Sequence, residues 1–129
     1  MAKLLLEILL YYRQERKYLL HEFVLMPDHF HLLITPLETW ERALQLVKGG
    51  FSYRAKGELG FIGAIWQPGY YDRRVRDMNE CEAFKEYIKL NPVRKELVSG
   101  AKQYPYSSTG SGSLLDGLPQ RLKPLTVSA

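Results

Sequence analysis

Leu19-Leu20-His21-Glu22-Phe23-Val24-Leu25-Met26-Pro27-Asp28-His29-Phe30-His31-Leu32-Leu33-Ile34 is the stretch that decides the fold. Residues 19–26 are apolar, with aromatic and β-branched members, the pattern of a buried strand. Met26-Pro27-Asp28 reads as a turn, because proline fixes φ and aspartate suits turn positions. Residues 29–34 read as a second strand, close enough to the first to pair with it as a hairpin.

The second strand carries chemistry as well as structure. Successive strand side chains point to opposite faces, so His29 and His31 project to one face and Phe30 to the core. Two imidazoles on a rigid strand suit a single metal ion. Alone, the pair equally describes two half-buried polar residues. His21, on the preceding strand, reads as structural or partly exposed.

Outward from the hairpin, residues 3–17 read as an amphipathic helix, with Leu5, Ile8, Leu9 and Tyr12 at helical spacing. Residues 38–57 read as a second helix, with Trp40, Ala43, Leu44, Val47 and Phe51 on one face and Gly49-Gly50 weakening its middle. Residues 63–76 read as an irregular extended stretch. A third helix is expected from about Asn79, as N-cap, to Leu90. Pro92 marks a break or bend near its end, and residues 93–99 add at most a short helical turn. From Ser107 the composition turns linker-like, so two units are expected: a domain over 1–108 and a loosely ordered tail over 109–129. Helices against an antiparallel sheet make an α+β sandwich.

On the third helix, Tyr87 and Asn91 stand four residues apart and share a face. A phenol is a poor nucleophile at neutral pH, its ordinary pKa being ~10. It attacks a phosphodiester when a divalent cation polarises the phosphate. An Asn oxygen is a suitable hard ligand for Mg²⁺ or Mn²⁺. The same spacing also describes a core tyrosine and a C-terminal cap, and with nine tyrosines in the chain one helical Tyr decides nothing.

The bulk numbers bound the possibilities. The 129 residues point to one core, and 46% apolar content is too high for a disordered chain. A net charge of +4 permits a polyanionic partner without requiring one. The single cysteine, Cys81, excludes an internal disulfide and a cysteine zinc cluster, and makes a reduced, cytoplasmic setting the default. The apolar run near Leu4 is broken by Glu7, too short to span a bilayer and without a leader cleavage site.

Four segments in order resemble one family. Met26-Pro27-Asp28-His29-Phe30-His31-Leu32-Leu33-Ile34, Trp66-Gln67-Pro68-Gly69-Tyr70-Tyr71-Asp72-Arg73 with Arg76, Glu86-Tyr87-Ile88-Lys89-Leu90-Asn91-Pro92-Val93-Arg94 and Tyr104-Pro105-Tyr106-Ser107-Ser108 are similar to the signatures of REP-associated tyrosine transposases, single-tyrosine HUH enzymes. The resemblance covers roughly residues 3–108. It implies a ferredoxin-like antiparallel sheet with helices packed on it, and a divalent metal, Mg²⁺ or Mn²⁺, held by His29, His31 and Asn91. It implies Tyr87 as the nucleophile that nicks and rejoins single-stranded or hairpin DNA through a 5′-phosphotyrosine, with no nucleotide cofactor and no membrane. Around that centre, Arg73, Arg74, Arg76, Lys89 and Arg94 would follow the phosphates, and Tyr70 and Tyr71 would stack on unpaired bases. A solvated charged surface is the plain alternative for these basic residues, and Trp66 reads as core.

The sequence departs from that pattern at its start. Relatives carry a strand before the first helix, whereas this sequence opens almost in the helix. A truncated start, a missing strand or one supplied by a partner chain would each explain this, and an unfilled place would leave an open edge near the histidine strand. Two rivals therefore stand beside the transposase reading: a DNA-hairpin-binding module that no longer cuts, and a metal-dependent phosphohydrolase using water. Monomer and homodimer are both compatible with the sequence.

Overall fold

The structure, a computed structural model, describes residues 2–26, 29–37, 39–58, 60, 71–75, 77–112, 115–117 and 124–128. Within them the chain runs α1 (Ala2–Gln14), β1 (Tyr18–Leu25), β2 (Phe30–Pro36), α2 (Trp40–Glu58), β3 (Tyr71–Arg74), α3 (Met78–Arg94), a 3-10 turn (Ala101–Gln103), α4 (Ser108–Ser111) and β4 (Leu125–Ser128). The strands form one antiparallel sheet in the order β1-β2-β4-β3. The expected α+β class holds. From α1 to β3 the order of elements is that of a β-α-β-β-α-β unit taken from its first helix onward.

The hairpin forms as its pattern requires, with Leu25 opposite Phe30 and Val24 opposite His31. A bulge between Leu20 and Glu22 then breaks the alternation. Before it the even residues Tyr18 and Leu20 join the cluster under α1 and α2; after it the odd residues Phe23 and Leu25 do. An extra residue in one strand shifts its facing by one position. Here the shift lets the chain keep apolar side chains on one face while His21 and Glu22 stand consecutively.

The larger core lies between the sheet and the paired helices α1 and α2. Leu4, Leu5, Ile8 and Leu9 from α1 meet Ala43, Leu44, Val47, Phe51 and Ala55 from α2 over Phe23, Phe30, Leu32 and Ile34. Gly50 lies tight against α1: a Cβ there would lie 3.3 Å from the Tyr12 ring. The glycine expected to weaken α2 thus permits its packing, and the helix is continuous through it. The smaller core lies under α3 and holds Val24, Met26, Leu33, Val75, Cys81, Ile88 and Tyr104.

Several expectations are corrected. Asp77, not Asn79, caps α3, its carboxylate accepting the Glu80 N–H at 2.8 Å. The helix also runs through Pro92 to Arg94. It ends in a pair of closing bonds, Glu96 N–H to Val93 O and Leu97 N–H to Pro92 O, each 3.0 Å, with Glu96 at φ 59°. The stretch 109–129 is not a loose tail in its described parts. Leu125–Ser128 pairs with β2 on one side and β3 on the other. Asp116 accepts from Leu20 N–H at 2.9 Å and takes both ends of the Arg13 guanidinium at 2.9 and 3.0 Å. The anticipated gap beside the histidine strand is therefore filled: β2 has β4 as its second neighbour. Among the described residues no helix is long and apolar enough to cross a membrane.

Candidate active site

The hairpin and α3 bring His29, His31 and Tyr87 together. His29 sits at the turn end of β2, where its carbonyl accepts the Met26 N–H at 2.7 Å and closes the hairpin. The His29 and His31 rings stand edge to face, centroids 4.9 Å apart, so the two imidazoles are neighbours as the strand period requires. Phe30, between them, is buried in the opposite core.

Tyr87 reaches this pair from α3, its ring edge to face with His31 at 5.6 Å between centroids. The residue is 47% exposed, so it stays open to a large partner while its ring touches the histidine. The Arg94 guanidinium lies 4.2 Å from the centre of the Tyr87 ring, and its Nη2 donates to the Tyr87 carbonyl at 2.7 Å.

Asn91, one turn beyond Tyr87, is 3% exposed. Its Oδ1 is buried with no hydrogen-bond partner among the described residues. A buried amide oxygen left unpaired costs roughly 1–3 kcal/mol. An oxygen donor so held suits a hard cation, and two imidazoles plus a carboxamide oxygen form a donor set compatible with Mg²⁺ or Mn²⁺. Among the described residues no three His, Cys, Asp or Glu side chains converge as metal ligands, so a third protein donor from them is of another type.

Electrostatics favour the ligand form of the strand histidine. Burial, then the charges of His29, Arg94 and Lys95, pull the His31 pKa down to about 4. Its ring is therefore neutral near pH 7, with a lone pair to offer.

Two features of this face escaped sequence reasoning. Glu22 is buried beneath α3, where desolvation raises its pKa to about 7 against the opposing pull of Lys85 and Lys89. It accepts a hydrogen bond from Ser108 Oγ. A lone Glu in an apolar run was its only signal. The second is the seat of Arg94, named from sequence only as a phosphate contact, over the Tyr87 ring, which a spacing of seven on one helix could have suggested. His21 is structural, as expected, and fully buried rather than partly exposed: its ring bridges Thr35 Oγ1 at 2.7 Å and the Asp116 carbonyl at 2.8 Å.

The expected DNA contacts divide. Lys89 and Arg94 are on α3, Lys89 half-buried and Arg94 exposed. Tyr71, Arg73 and Arg74 belong to β3, with Tyr71 opposite Ser128 of β4, which is itself opposite His31. Tyr70, Arg76 and Trp66 lie outside the described residues.

A histidine pair on a strand and a tyrosine on a facing helix invite comparison with known families, and the family model described as "Transposase IS200 like" matches residues 1–91. The chain belongs to the IS200-like transposase family. This IS200-like chain is similar to a REP-associated tyrosine transposase of Escherichia coli (strain K12), 22% identical over 99 residues, which are 74% of the chain and 57% of that protein. It is also similar to a Haemophilus influenzae protein named "Putative REP-associated tyrosine transposase", 27% identical over 96 residues, 65% of the chain and 54% of that protein. The chain thus spans a little over half the length of the curated relatives it matches. No solved structure matches it. The matched residues include His29, His31, Tyr87 and Asn91.

Proposed function

We propose that this IS200-like chain is a metal-dependent enzyme that nicks and rejoins single-stranded or hairpin DNA, with Tyr87 as nucleophile. The observation that carries the reading is the contact of the Tyr87 ring with His31, itself edge to face with His29. His29, His31 and Asn91 Oδ1 would hold a divalent cation, Mg²⁺ or Mn²⁺. Such a cation, when bound, supplies charge neutralisation at the scissile phosphate and at the departing oxygen.

The remaining work falls to the chain's own groups. The Tyr87 hydroxyl loses its proton and its oxygen attacks phosphorus. The bond from phosphorus to the 3′ oxygen breaks, and that oxygen leaves as a 3′-hydroxyl after gaining a proton. The product is a 5′-phosphotyrosine. Its ester preserves the energy of the broken bond, so a second 3′-hydroxyl can reverse the step without a nucleotide cofactor. Lys95 adds positive charge beside His31, where a phosphate would arrive. The buried free thiol of Cys81 suits a reduced, cytoplasmic setting.

The test is a hairpin oligonucleotide with a single-stranded flank, labelled at its 3′ end. With Mn²⁺ or Mg²⁺ the label should migrate with the protein under denaturing conditions. Removal of the metal with EDTA, and Tyr87→Phe, should each abolish the adduct while DNA binding persists for the Phe variant. Cleavage without an adduct, retained by Tyr87→Phe, would establish a phosphohydrolase. Binding with neither cleavage nor adduct would establish a binding module.

A further inference from the structure

We propose that Arg94 is a positioning residue for Tyr87, holding the tyrosine ring in the orientation from which its hydroxyl attacks, rather than a DNA phosphate contact. The proposal rests on the reading of Tyr87 as nucleophile.

The geometry fixes Arg94 to Tyr87 at two points. The guanidinium carbon lies 4.2 Å from the ring centroid, the separation of a stacked cation and ring. Nη2 also donates to the carbonyl of the same residue at 2.7 Å, a short charge-assisted bond. A helical side chain leans toward the N-terminus of its helix, so a long one two turns further on reaches back over the ring. Planarity matters here, because a flat guanidinium can lie on the ring and still aim an N–H at the carbonyl, whereas a point-like ammonium does these two things less well.

Tyr87 needs such a restraint. Its ring is half exposed and meets His31 in a T-shaped contact, centroids 5.6 Å apart, that by itself covers only part of the ring. A solvent-exposed tyrosine samples rotamers in nanoseconds or less. Attack on phosphorus requires the oxygen to be held within a few tenths of an ångström of its line of approach. With His31 against the ring and Arg94 over its face, rotation of the ring away from the histidine pair has to break two contacts. The continuation of α3 through Pro92 carries Arg94 to this place: a helix broken at the proline would not have kept residue 94 on the face of residue 87.

The two roles for Arg94 separate in measurement. Arg94→Gln and Arg94→Lys are compared with the parent for DNA affinity across salt concentrations, for the single-turnover rate of adduct formation at saturating hairpin oligonucleotide, and for the ring signals of ¹³C-labelled tyrosine, with Tyr87→Phe identifying the Tyr87 signal. We expect Arg94→Gln to lower the saturated rate by about tenfold to a hundredfold, leave affinity and its salt dependence within twofold, and move the Tyr87 signal toward that of a freely rotating tyrosine. Arg94→Lys should restore part of the rate and part of the signal. Weakened, salt-sensitive binding with an unchanged saturated rate and an unmoved Tyr87 signal would overturn the proposal and make Arg94 a phosphate contact. The ring signal needs no DNA. If the parent protein forms no adduct, the nucleophile reading fails, while a Tyr87 signal that Arg94→Gln moves still supports the hold on the ring, and an unmoved one refutes it.

Discussion

The two faces of the sheet differ in what accompanies their apolar side chains: toward α3, Val24 and Leu33 of the smaller core share the face with ionisable groups. Toward α1 and α2 it presents Leu20, Phe23, Leu25, Phe30, Leu32 and Ile34, all but sealed from solvent. Toward α3 it presents His31 and Glu22, which meet Tyr87, Ser108 and the field of Lys85 and Lys89. Burying polar and ionisable groups costs stability, so a fold places them where a second, larger apolar layer offsets the cost. One face is apolar throughout; the other sets ionisable groups among its apolar ones.

The sharpest way to break the comparison is to cut into the apolar face. Phe30→Ala should cost about 3–5 kcal/mol and leave the chain largely unfolded in urea titration. Its neighbour His31, changed to Ala, should cost within about 1 kcal/mol while abolishing adduct formation. Comparable losses from the two would mean that the faces are not specialised.

Next in size is the last strand. Ending the chain before Pro124 removes the backbone partner of both β2 and β3, and should cost at least about 3 kcal/mol through a handful of lost ladder bonds, read as a lower midpoint in thermal or urea unfolding. An unchanged midpoint would remove β4 from the account of the sheet.

This strand also shows where the sequence stops being legible. The hairpin, α1 and α2 could be read because their signals are local: alternation at His29-Phe30-His31, and apolar residues three and four apart in the helices. Tyr87 and Asn91 were legible through helical spacing. Leu125-Thr126-Val127-Ser128 is too short to declare itself, and its partners lie at residues 31–34 and 71–74. Pairing at that range leaves no periodic trace. The bulge at His21 was hidden for a related reason, since a one-residue shift inside an apolar run leaves the composition unchanged. Asn79 was the wrong cap because Asp77 and Asn79 are both competent caps, and packing of the helix decides between them.

A smaller effect sharpens the comparison through pH. The folded pKa of Glu22 is raised to about 7 from 4.5, so its folded form keeps a proton that the unfolded chain has lost. Its contribution is fully present below about pH 4.5 and is lost as pH rises through 7. His31 runs the other way: lowered from 6.5 to about 4, it contributes fully above 6.5 and the contribution is lost as pH falls through 4. Glu22→Gln should therefore stabilise the protein increasingly as pH rises from about 4.5 to about 7, by up to roughly 3 kcal/mol, with a level gain above that range and little gain near pH 4. A gain independent of pH would remove Glu22 as the source of the slope.

The smallest expected effect is at two helix ends. Arg16 and Glu96 adopt positive φ, 60° and 59°, a conformation that favours glycine. Arg16→Gly, behind the apolar face, and Glu96→Gly, behind the polar one, should each raise stability by about 0.5–1 kcal/mol. Equal gains in thermal midpoint would show that the faces differ in their side chains alone. A loss at Glu96 would reveal a contribution of that carboxylate to the polar face.

The place of β4 also sets an order in time. The β1-β2 hairpin closes over a short turn and can form within microseconds. β4 must find β2 across most of the chain, a slower search because distant segments surrender more freedom on meeting. Among the described residues β3 joins the sheet through β4 alone, so Tyr71–Arg74 reaches its final place together with β4 or after it, never before. The histidine pair is therefore assembled early, and the segment carrying Arg73 and Arg74 arrives beside it last.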